Sequence, residues 1–108
     1  MITAVFSSSG GQWRAFAVHG HAGFAEAGHD IVCAAVTSSV ELAVNTMTDV
    51  LHAPAKVRVG KDSVVLWLDR PGEETGRLVE GLYRHLCLLK EQAPGCVRVV
   101  RLRAASKN

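Results

Sequence analysis

Apolar residues recur along this chain with two different periods, and the change of period marks out its elements. Residues 2–7 (Ile-Thr-Ala-Val-Phe-Ser) are rich in β-branched and aromatic side chains, a Ser-Ser-Gly-Gly cluster follows, and Trp13 to Val18 resume the run. Two such runs around a glycine turn predict a β-hairpin whose second strand ends at His19-Gly20. From Ile31 to about His52 the apolar positions are Val36, Val40, Ala43, Val44, Met47, Val50 and Leu51, with Glu41, Asn45, Thr48 and Asp49 between them. That spacing is one stripe of an amphipathic helix, with Asp30 at its N-cap and Met47 filling core.

Pro54 closes the helical region. Ala55–Val59 and Ser63–Leu68 flank Gly60-Lys61-Asp62 and predict a second hairpin, with Trp67 as a core aromatic. Glu73 and Glu74 suit the positive end of a second helix, which runs to Gln92 ahead of Pro94-Gly95 and buries Leu78, Leu82, Leu86 and Leu89. Cys87 falls beside that stripe as an inert thiol. Cys96–Leu102 reads as a last strand, and its arginines, Arg98, Arg101 and Arg103, suit a solvated edge. The element order is ββαββαβ. It predicts an α/β domain over residues 1–103, one mixed or antiparallel five-stranded sheet packed with two helices, and a frayed polar tail at 104–108. Both helices on one face, or one on each, would satisfy their apolar stripes equally.

Composition narrows the class further. The 108 residues fit one domain, and a formal charge of +2 is too small to argue for nucleic acid. Cys33, Cys87 and Cys96 are odd in number and unrelated in spacing, which argues against a disulfide scaffold and for a reducing compartment. No basic leader precedes an apolar segment, and no uninterrupted apolar run approaches the ~20 residues of a membrane span. A cytoplasmic protein without membrane contact is the expectation.

The candidate chemistry lies between the first hairpin and the first helix. Gly20, Gly23 and Gly28 punctuate residues 20–29, which reads as a deformable loop of small residues with Phe24 as the exception. His21 opens that loop. Cys33 follows twelve residues later, in the first helical turn if Asp30 caps it. Free backbone N–H groups there and a nearby imidazolium favour a thiolate, so the pair can serve as nucleophile and base. Deformable loops beside a nucleophile commonly close over substrate.

The run Gly20-His21-Ala22, then Gly28, then Asp30-Ile31-Val32-Cys33-Ala34-Ala35-Val36 resembles the signature of the ribosomal-processing cysteine protease family, Prp, and the likeness extends over nearly the whole chain. The resemblance implies a small α/β homodimer that removes the N-terminal extension of large-subunit ribosomal protein twenty-seven, with that precursor as its peptide substrate and no cofactor or metal. It assigns His21 as general base and acid and Cys33 as nucleophile. Gly20, Ala22, Gly23 and Gly28 fall in the mobile substrate loop. Thr37 stands where the family more often has Ser and keeps the hydroxyl. Asp30 serves as helix cap, as orienter of His21, or as both.

Two other classes compete on the residues alone. His19, His21, His29 and Cys33 supply four zinc-compatible ligands within fifteen residues, at a spacing that matches no standard motif. A ribosome-associated binding module without catalysis would rest on the basic edge strand. Elemental analysis separates the zinc reading from the protease: the protease predicts no stoichiometric zinc, whereas zinc lost on changing His19 or His29 would establish the metal module.

Overall fold

Along strand β1 (Ile2–Ser9) every second residue is buried: Ile2, Ala4, Phe6 and Ser8 lie inside, and Thr3, Val5, Ser7 and Ser9 are half-buried. One face of the sheet is therefore dry and the other partly wet. The computed structural model describes residues 1–20 and 27–104, the side chains of 27–30 excepted. The remaining elements are β2 (Gln12–His19), α1 (Ala27–Asn45) continuing into a π-helical turn (Thr46–Val50), β3 (Ala55–Val59), β4 (Ser63–Leu68), α2 (Glu73–Gln92) and β5 (Val97–Ala104). The order is the expected ββαββαβ. The tail at 105–108 lies outside the described residues, and Arg103 and Ala104 extend the last strand beyond its expected end at Leu102.

Strand order is β3-β4-β2-β1-β5. All pairings are antiparallel except β1 with β5, so the sheet is mixed. The connections β2–α1–β3 and β4–α2–β5 join parallel strands, run opposite ways across the sheet, and start from strands that point opposite ways. Two crossovers related in this way, both of the right-handed kind that parallel connections adopt, deliver their helices to the same face. α1 and α2 accordingly pack against each other over one side of the sheet. The architecture is a two-layer α/β sandwich.

Between the layers lie Phe6, Phe16, Met47, Leu66, Val79 and Leu86, each less than 2% exposed. Val36, Val40, Ala43 and Met47 form the buried stripe of α1 as expected, whereas Val50 is 68% exposed because the π-turn rotates it outward. The helix stops at His52, whose φ of 48° takes the left-handed place usually given to glycine. By length and composition alone Ile31–Val50 would suffice to cross a membrane, although Glu41 and Asp49 interrupt its apolar run. It lays its stripe on the sheet instead. In α2 the inward positions are Thr75, Val79, Leu82 and Leu86, with Leu78 and Leu89 half-buried at the margins.

Trp13, and not Trp67 as expected, is the tryptophan of the core. A bulge between Ser7 and Ser8 pairs Ser7 with Ala15 but Ser8 with Trp13, which makes Arg14 the extra residue and turns both Trp13 and Phe16 to the helix side. Trp13 is 6% exposed and meets Phe6 edge-on, with centroids 5.8 Å apart. Trp67 pairs with Ala15 and is half-buried on the open face. β5 is an edge strand as expected, and Arg101 on it lies 4.5 Å over the Trp13 ring. The Trp13 indole N–H donates to Glu80 Oε1 at 2.7 Å, and Arg84 bonds the other carboxylate oxygen at 2.7 Å.

Replacing Phe16 with Ala should cost about 3–5 kcal/mol of unfolding free energy in denaturant titration. Arg84 first, and then the Trp13 N–H, hold the Glu80 carboxyl below the usual glutamate range. The folded state thus favours the carboxylate, and its contribution is complete above the unfolded glutamate pKa and lost as pH falls through the lowered folded value. Glu80→Gln should lower the melting midpoint at neutral pH, and the gap to wild type should close on acidification.

Candidate active site

Cys33 is half-buried and looks into a cleft of about 430 Å³. One wall is α1, which contributes Cys33, Val36, Thr37, Val40, Glu41, Val44 and Asn45 at successive turns. The opposite wall is the β3–β4 turn from Val59 to Val64, and Ile2, Val18 and Gly20 close one end. From Cys33 to Asn45 the helix rises ~18 Å, as much as five or so residues of extended chain. The lining is mainly aliphatic, with Thr37, Glu41, Asn45, Lys61, Asp62 and Ser63 as polar groups. Such a groove accepts an extended peptide beside a thiol.

Helix α1 is described from Ala27, which corrects three expectations. Asp30 is its fourth residue and does not occupy the N-cap. Gly28 belongs to the helix and not to a substrate loop, and Cys33 is the seventh residue, in the second turn. The helical ladder occupies the Cys33 N–H. Apolar periodicity could not fix this start, since Ala27, Gly28 and His29 carry no part of the stripe.

Gly20 is the last described residue before His21. Its φ of +89° suits only glycine, and a Cβ added there would stand 2.5 Å from the Met1 carbonyl oxygen. The Gly20 N–H donates to the Asp62 carbonyl at 3.0 Å. Gly20 is thus held between the chain's first residue and the β3–β4 turn, against the expectation that it belongs to a loose loop. Its hydrogen bond to the turn was invisible in the sequence, because the partner lies 42 residues away in the register of β2 with β4. His21, Ala22, Gly23 and Phe24 lie outside the described residues, as do the side chains of Asp30 and His29.

Of the zinc set, His19 and Cys33 can be placed. His19 pairs with Thr3 and Ser63, in the row that belongs to the open sheet face, while Cys33 stands on the helix layer. The sheet separates them. Cys96 is buried and Cys87 is half-buried; neither lines the cleft.

A family model described as cysteine protease Prp matches residues 1–98. A search of curated proteins gave no match. Among solved structures, SMU.848 from Streptococcus mutans is 25% identical, with a TM-score of 0.85 and 96% of each chain covered. An essential ribosomal processing protease Prp from S. aureus, in complex with a covalently linked product peptide, is 21% identical, with a TM-score of 0.83 over 94% of this chain and 99% of that one. The same S. aureus protease with a substrate peptide gives a TM-score of 0.80 at 19% identity, covering 94% of this chain and 99% of that one. At these last identities the likeness speaks for the shared fold.

Accessibility predicts an order of thiol reactivity. Brief treatment of folded protein with iodoacetamide should carbamidomethylate Cys33 well ahead of Cys96, and peptide mass spectrometry would read the ratio.

Proposed function

Because the chain belongs to the cysteine protease Prp family, we propose that it is the endopeptidase that removes the N-terminal extension of large-subunit ribosomal protein twenty-seven, with Cys33 as nucleophile and His21 as its base. The observation that carries this reading is a half-buried free thiol at one end of a peptide-sized aliphatic cleft. His21 takes the thiol proton, and Cys33 Sγ bonds to the scissile carbonyl carbon. The imidazolium then gives that proton to the departing amine nitrogen as the C–N bond breaks. Water, deprotonated in turn by His21, attacks the thioester, the acid product leaves, and the thiol is restored.

Asp30 is a candidate to orient His21, since a capping role no longer accounts for it. We also propose that two copies associate through the helical layer, where Ile31 is 71%, Leu42 69% and Leu88 47% exposed. Three unpaired cysteines support a reducing, cytoplasmic location.

A synthetic peptide spanning the precursor's junction should be cut by wild type, with both products found by mass spectrometry. Cys33→Ala should lose on the order of 10³-fold or more in rate while its melting curve is unchanged. An intact peptide after incubation with folded, reduced wild type would end the proposal. Leu42→Glu should shift the sedimenting species from dimer to monomer.

A further inference from the structure

The β3–β4 turn touches both halves of the proposed chemistry. Its residues Gly60, Lys61, Asp62 and Ser63 form the cleft wall opposite α1, and the Asp62 carbonyl accepts the Gly20 N–H at 3.0 Å, one residue before His21. The turn is itself closed by a 2.8 Å bond from the Gly60 N–H to the Ser63 carbonyl. On its other side Gly20 abuts the Met1 carbonyl so closely that no side chain fits. Met1 is in turn followed by Ile2, whose N–H bonds the Cys96 carbonyl at 2.9 Å and whose side chain is 2% exposed. Gly20 is therefore gripped between a hydrogen-bonded turn and the fixed start of β1.

We infer that the β3–β4 turn is a positioning element for His21, acting through the main-chain bond from Gly20 to Asp62. The inference rests on the reading of His21 and Cys33 as base and nucleophile. The nucleophile sits on one wall of the cleft, and the chain leading to the base is tied to the other. A peptide lying in the cleft touches both walls, so its fit sets how base and nucleophile meet. Contacts along the groove then appear in kcat as well as in KM, because binding energy is used to align groups and not only to hold the substrate.

Two variants test this, neither of which removes a side chain from the chemistry: Gly20→Ala, and insertion of one glycine between Lys61 and Asp62. The readouts are peptide hydrolysis, the pH profile of Cys33 alkylation by iodoacetamide, and the melting midpoint. Among the described residues, Glu41 on α1, and Lys61 and Asp62 on the turn, are the charged groups at the cleft, and both variants retain them. In folded variants kcat should fall by roughly tenfold or more with KM within about threefold, and the alkylation profile should become that of His21→Ala. Should Gly20→Ala not fold, the insertion carries the test. A folded insertion variant with wild-type kcat and profile overturns the inference, and so does a wild-type profile indistinguishable from that of His21→Ala. If wild type leaves the peptide intact yet the two variants lose a His21-dependent profile, the protease reading fails and the positioning role stands.

Discussion

Only one face of this sheet can be dry, and the rest of the molecule follows from that. The alternation in β1 puts Ile2, Ala4 and Phe6 on one side at less than 3% exposure, and the pairing registers carry the same side across Phe16, Val18, Leu66 and Val97. Burying each of these apolar side chains is worth ~1.5–3 kcal/mol, so the two helices have no competing place to dock. The crossovers bring both of them to that face. With α1 fixed against the sheet, Cys33 is fixed too, at the margin where the helix diverges from the β3–β4 hairpin.

The two ends of the sandwich divide stability and chemistry. Around the β1–β2 turn the molecule is dense: the Phe6 ring lies within 6 Å of Trp13, Phe16 and Tyr83, and Trp13 meets Tyr83 at 5.2 Å, with Arg101 over Trp13 and Glu80 tying it to α2. At the opposite end, where β2 finishes and β1, β4 and β5 begin, packing gives way to the cleft and its polar rim. An end held mainly by main-chain hydrogen bonds can admit a ligand between α1 and the turn without disturbing the aromatic cluster. Cys33 stands on the α1 wall of that cleft, and the β3–β4 turn supplies residues to it as well.

The elements and the family were legible because the signals for both are local. Period-two runs gave the hairpins, the Val36–Val40–Ala43–Met47 spacing gave α1, and the Gly20-His21 to Cys33 run carried the family resemblance that the match over residues 1–98 bears out. The start of α1 was less legible: Ala27, Gly28 and His29 have no periodic signature, so the cap was set at Asp30, three residues beyond the first described helical residue. The seat of Trp13 in the core, where Trp67 was expected, was hidden for a related reason. A bulge at Arg14 is a one-residue insertion in pairing, and nothing in either strand's own composition announces it.

What the chain alone determined, then, is the inventory: five strands, two amphipathic helices, and a thiol following an imidazole-bearing glycine run. Tertiary structure decided the strand order, the common face of the helices, the second-turn seat of Cys33, and the bond that ties Gly20 to Asp62. The division has a physical cause. Periodicity records which side of an element avoids water, and that is a property of neighbours in sequence; register, crossover side and main-chain bonds between distant segments depend on how whole elements meet, and no single segment encodes them.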